Sequence, residues 1–169
     1  MRAIKVIFNA LKSLSLKKLW RLFVFAISHP LFITLGFIAT IIAFKDAQKL
    51  YPKSASNNGR GNAFRHSYWC CLILMYCCKI SSPKKSLAFC KQMTDMHEEL
   101  FPNLPLETKM DLHNNAFGIR FFEDMLPGVH RQFFERNFFI EELKKKTAEA
   151  VVLKDVNQEL GNYLVYLEE

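Results

Sequence analysis

The sequence predicts an all-α protein, a helical bundle of about five helices preceded by an apolar, membrane-associated N-terminal arm. Three observations carry this reading. Half of the 169 residues are apolar, with 16 Phe against six Gly and six Pro, so the chain can bury a core and is neither linker-rich nor disordered. No window alternates apolar and polar residues as a strand would, whereas helical spacing recurs throughout. Residues 22–44, LFVFAISHPLFITLGFIATIIAF, carry no charge.

This run makes residues 1–50 a membrane anchor by length, since about 20 apolar residues span a bilayer core. Six basic and no acidic residues precede it, and Trp20 sits at its edge, as expected of an anchor in a bacterial inner membrane. Lys45, Lys49 and Lys53 follow closely and leave the orientation open. No small-x-small cleavage site precedes Lys45, which disfavours a removed signal peptide. Pro30 lacks the amide proton and pushes His29 away from helical geometry, so a second reading has two shorter helices, one lying in the interface and one packed on the domain.

Beyond residue 44 the chain holds 17 basic and 16 acidic residues, so all but one unit of the +7 excess belongs to the arm. No nucleic-acid partner is expected, because the domain itself has no basic surplus to neutralise phosphates.

The 51–61 segment, YPKSASNNGRG, reads as a linker, and residues 62–169 as the helical domain. A first helix runs from Asn62, a plausible N-cap, to Ile80, where Ser81-Ser82-Pro83 stops it. A second opens at Pro83 and ends near Leu100. Pro102 and Pro105 enforce a turn, and a third helix covers Leu106 to Met125. Pro127-Gly128 ends that one. A fourth covers Val129 to Lys146, and a last amphipathic helix covers Thr147 to Leu167, weakened by Gly161. Cys70, Cys71, Cys77, Cys78 and Cys90 lie in the apolar helices and read as buried thiols. Their C-C-x5-C-C spacing is no zinc-finger pattern.

Three polar patches interrupt the apolar helices, and each contains a His: NAFRHSYW (62–69), TDMHEELF (94–101) and MDLHNNAF (110–117). Burying such groups is costly unless they pair with one another, with water or with an ion. The second and third patches repeat each other at an offset of 16 residues, as D-[ML]-H-[EN]-[EN]-x-F. Turned inward, the patches gather His66, Glu98, Asp111, Asn114 and Asn115, an oxygen and imidazole set suited to a divalent metal in a bundle core. Arg65, His66, His97 and Asp111 are the candidate catalytic residues. Arg65 would steady negative charge, and a His or carboxylate would activate water. Two adjacent Asn inside a helix need a reason, and Gly118, one turn on, would admit a close neighbour. The chain has no phosphate-binding Gly-rich loop, nucleophile elbow or H-E-x-x-H.

The stretches NGRGNAFRHSYW, DMHEELFP and MDLHNNAFG resemble an uncharacterised bacterial domain family with the pattern N-G-x-x-[ND]-A-F-R-H-x-x-W, then H-E, then D-L-H-N-N-x-x-G. That family occurs in small Bacteroidetes proteins with an apolar arm and at the C-terminal ends of toxin-like repeat proteins. The resemblance rests on Asn58, Gly59, Asn62, Ala63, Phe64, Arg65, His66 and Trp69, on His97 and Glu98, and on Asp111 to Asn115 with Gly118. It implies a compact hydrolase by association and brings no reaction with it. Two functions follow from the residues: a membrane-tethered, metal-dependent hydrolase, or a non-catalytic interaction module whose polar residues form a buried network and whose Phe-rich C-terminal helices bind a protein partner.

Overall fold

A computed structural model describes residues 8–168. Its long helices are α1 (Leu16–Ser28), α2 (Pro30–Leu50), α3 (Arg60–Ile80), α4 (Pro83–Leu100), α5 (Pro105–Met125) and α6 (Arg136–Ala148), joined late in the chain by two short strands, β1 (Val151–Val152) and β2 (Val165–Tyr166). The protein is thus mostly helical, as the periodicity predicts. Helix α3 is its axis. Apart from Arg65 and Tyr76, every residue from Gly61 to Cys78 is buried, which is the signature of a helix surrounded by others. Helices α2, α4, α5 and α6 all pack on it.

The uncharged run is two helices, not one continuous span. His29 leaves helical geometry at φ −136° and Pro30 opens α2, as the steric rule for a residue before proline requires. Helix α1 then folds back along α4, where Phe25 stacks on Phe89 with ring centroids 5.6 Å apart. Lys18 donates to the Leu100 carbonyl at 2.6 Å, and Arg21 pairs with Glu99. Helix α2 buries Gly36 against Met93 of α4, and Ala39, Ala43 and Ala47 let it pack closely on α3. Two polar contacts fasten it there: Trp69 Nε1 donates to Thr40 Oγ1 at 2.9 Å, and Tyr68 donates to Asp46 Oδ2 at 2.9 Å. Arg136 of α6 donates to the same Asp46 oxygen, so three helices meet at one carboxylate. Among the described residues α2 is the one helix long and apolar enough to cross a membrane.

The 51–61 segment packs as a corner in place of a loose linker. Ala55 is fully buried, and Ser54 Oγ accepts the Gly61 amide at 3.1 Å. A Cβ on Gly61 would lie 2.6 Å from the Ala55 nitrogen, so only glycine fits. Helix α3 therefore starts two residues before Asn62, capped by Gly59, and the Asn62 side chain instead bonds the Asn57 carbonyl at 2.7 Å.

Two further expectations need correction. The expected helix from Val129 to Lys146 is interrupted: a 3₁₀ turn at Arg131–Phe133 is held across the end of α3 by Arg131 and Gln132, which donate to the Ser81 and Lys79 carbonyls, and α6 begins only at Arg136. The expected last helix, Thr147 to Leu167, does not form. After Ala148 the β-branched Val151-Val152 pairs in parallel with Val165-Tyr166. Between them Asp155 Oδ1 takes the Asn157 amide and Gln158 Oε1 takes the Lys154 amide, local bonds that turn the chain and compete with helix. Helix α5 meets α3 at Gly118, where a Cβ would press on the Ser67 backbone, as the expectation of a close neighbour required. All five cysteines are buried and unpaired.

Candidate metal centre

The first turns of α3, the last turn of α4 and the first half of α5 converge on one point, because α3 and α5 cross at Ser67 and Gly118 while the Pro-rich turn returns the chain from α4 to α5. There His66, Glu98 and Asp111 each offer a ligand atom, all within 4.8 Å of one another. All three side chains are buried.

Hydrogen bonding determines which atoms face the centre. Asn115 donates Nδ2 to Glu98 Oε1 at 3.3 Å, so its Oδ1 faces His66 and accepts the Nδ1 proton at 3.1 Å. His66 Nε2 therefore carries the lone pair. Arg65 Nη2 donates to that nitrogen at 3.2 Å, and Asp111 Oδ1 approaches it at 3.3 Å. The Asp111 contact is no ion pair, since burial and the Arg65 charge push His66 down to about 3 and keep it neutral. Two acceptors thus face each other, and Asp111 Oδ1 is buried with no hydrogen-bond donor. Its other oxygen is occupied by Asn103 Nδ2 at 3.1 Å.

The electrostatics agree with this crowding. Burial and then Asp111 push Glu98 up to about 7, and burial pushes Asp111 up to about 6 against the pull of Arg65. Both carboxylates lack a full complement of positive charge, which a cation would supply. Arg65 is half-buried, and its partial burial lowers its pKa while Asp111 and Glu98 oppose the shift. It also donates to the Ala55 carbonyl at 2.7 Å and to Asn62 Oδ1 at 2.9 Å. Burial, His66 and Arg65 push His97 down to about 4, so it too is neutral. Its ring lies 6.3 Å from that of His66 and 5.3 Å from that of Trp69.

The chain belongs to the DUF6973 family. This is a domain of unknown function whose sequence profile matches residues 23–151, and that range takes in the second half of α1, all of α2, the packed corner and all three polar patches. No curated protein and no solved structure matches the chain.

Within this DUF6973 domain the predicted site residues separate into two groups. Arg65, His66, His97, Glu98, Asp111 and Asn115 come together. Asn115 serves as the bridge that orients His66 and Glu98, its oxygen already engaged. Asn114, expected among the metal ligands, points elsewhere: it donates Nδ2 to the Val165 carbonyl at 2.8 Å and accepts the Val165 amide at 3.0 Å, closing a two-bond ring with β2. His113 also lies outside and bonds the Tyr163 carbonyl. Sequence reasoning missed Asn103. Its signal was an Asn held between Pro102 and Pro105, a rigid turn that aims the side chain back along α5.

A cavity of about 630 Å³ opens beside the centre. Its walls come from residues 10–11, α1, α2, α3, α4 and Phe101 and are mostly apolar, with Arg65, His66 and His97 among them. The volume is that of a small-molecule site.

Proposed function

We propose that the DUF6973 domain is a metal-dependent hydrolase working at a membrane surface. One observation supports this above the rest: Asp111 Oδ1 is buried without a donor, 3.3 Å from a neutral imidazole nitrogen and beside a second buried carboxylate. A divalent cation held by His66 Nε2, Glu98 and Asp111 would remove the clash and satisfy the orphaned oxygen, with Arg65 Nη2 giving up the Nε2 lone pair that it meets at 3.2 Å. With three protein ligands the ion would also take a water, whose pKa it would lower. Asn115 and Asn103 orient the ligands from behind. His97 stands neutral at the cavity end, placed to take a proton, and Arg65 supplies positive charge where an oxyanion would develop. The exposed apolar side chains of α1 and α2, with the basic residues before them, support residence on lipid.

The test is metal analysis of the full chain after equilibration with divalent ions. About one ion per chain is expected in the wild type and none in Asp111→Asn or Glu98→Gln. Absence of uptake in the wild type, or uptake unchanged by both substitutions, removes the hydrolase reading and leaves a structural hydrogen-bond network.

A further inference from the structure

We propose that the substrate is a membrane lipid ester, bound with one acyl chain in the cavity and its ester group at the His66 end. The inference rests on the hydrolase reading and names its substrate class.

The cavity wall has two kinds of lining. Most of it is apolar side chains such as Leu22, Phe25, Ile33 and Met93, and its two threonine hydroxyls, Thr34 and Thr40, donate to carbonyls of their own helix. The charged and imidazole groups of the wall, Arg65, His66 and His97, gather at the candidate metal centre. A ligand that fits is apolar along its length and polar at one tip. An acyl chain meets that description, and the first polar group along it is the ester carbonyl, which the cavity places beside the residues able to act on it.

The outer surface of the same two helices gives a source for such a ligand. Trp20, Phe23, Ile27 and Leu31 are each more than half exposed and belong to the helices whose inner faces line the cavity. An amphipathic helix with aromatic and aliphatic residues outward, preceded by Arg2, Lys5 and Lys12 with no acidic residue and carrying Lys17 near its start, matches a surface of anionic lipid. One pair of helices thus meets lipid on one face and encloses a chain-sized space on the other. In that pose the oxygen of water adds to the ester carbonyl carbon, and its proton passes to the His97 imidazole. The bond from acyl carbon to alkoxy oxygen then breaks, and His97 returns the proton to the departing alcohol, leaving a fatty acid and a lysolipid.

Trp69 packs beside both His66 and His97 on the cavity wall and reports on this directly. In full-length Trp20→Phe protein it is the only emitter, since the chain has two Trp. The probe is monomeric lysophosphatidylglycerol with a mid-chain dibromo group. Saturable quenching at one lipid per chain is expected, reversed by the unbrominated lipid. Ala26→Phe and Ile33→Phe, which fill the cavity, should each weaken it at least about tenfold. Metal-loaded protein should also release fatty acid from phosphatidylglycerol vesicles. No saturable quenching, quenching equal in both filled variants, or bound lysolipid without release from vesicles would each overturn the assignment. Asp111→Asn separates the two readings: quenching that survives there while the wild type takes up no metal defeats the hydrolase reading and with it the ester as substrate, leaving lipid binding alone, whereas metal uptake without quenching defeats only the lipid.

Discussion

Helices α4 and α5 carry the same short pattern, D-[ML]-H-[EN]-[EN]-x-F, and use it in opposite ways. On α4, Asp95 faces solvent and pairs with Lys91, Glu99 faces solvent and pairs with Arg21, and only His97 and Glu98 turn inward. On α5 three of the four polar positions exchange sides: Asp111 and Asn115 are buried and His113 lies outside on the Tyr163 carbonyl, while Asn114, like Glu98, is buried. The difference follows from what each helix packs on. Helix α5 crosses the middle of α3 at Gly118 and buries a broad face, while α4 brings only its last turn to the centre. The pattern supplies polar groups, and the crossing geometry decides which of them share a site.

The comparison breaks most sharply at the paired aspartates. Asp111→Asn should lower affinity for a divalent ion by more than about 100-fold, whereas Asp95→Asn should leave it unchanged, as isothermal titration would read. Equal effects at both positions would mean that the two helices share one function.

Acidity sharpens the same contrast. Glu98 and Asp111, pushed up to about 7 and about 6, must lose protons to take an ion, so affinity should rise on the order of 100-fold from pH 5.5 to pH 8. Without the ion, these raised carboxylates contribute stability below their ordinary range of 4.5 and 3.8, and that contribution is lost as pH rises toward 7 and 6. His66 and His97, depressed from 6.5, act in the other direction: their contribution is present above 6.5 and is lost as pH falls toward 3 and 4. The metal-free protein should therefore have a flat melting profile between about pH 4.5 and pH 6, and the rise in Tm on adding metal should be larger at pH 8 than at pH 5.5. A metal-induced Tm rise that is the same at both pH values would exclude the carboxylates as ligands.

Asn114→Ala should cost about 2–4 kcal/mol in urea unfolding, because it strands both the amide and the carbonyl of Val165. Metal affinity should stay within about threefold, since Asn114 faces away from the centre. The smallest effect belongs to α4's outward face. Glu99→Gln breaks an ion pair whose partners are both about half exposed, and should change stability by less than about 1 kcal/mol.

Much of the site was legible because burial of polar groups leaves a trace in sequence. His66, Glu98 and Asp111 interrupt apolar helices whose boundaries Pro83 and Pro105 announce. Local periodicity reaches no further than one helix. It cannot say that Asn114 will face a strand 51 residues on, because that depends on where Val165 returns. Nor does composition distinguish a loose segment from a packed corner, since Gly59 and Gly61 serve both; only the approach of Ser54 and Ala55 decides. The arm was ambiguous for a related reason. A helix that buries alanines against α3 and presents Phe37 and Ile38 outward has the same hydropathy as a spanning one.

The return of Val165 also governs when the centre can be finished. During synthesis helices emerge in order, and α3, α4 and α5 leave the ribosome well before residue 165. Yet α5 is pinned by that residue through Asn114, and the corner that begins α3 is pinned by Leu167, whose amide bonds the Asn58 carbonyl at 2.8 Å. Asn58 in turn donates to Glu107 at the start of α5. A nascent chain holding every candidate ligand thus still lacks the contacts that align them. Its polar pocket must wait, incompletely clamped, until the final segment is translated and folds back across both helices.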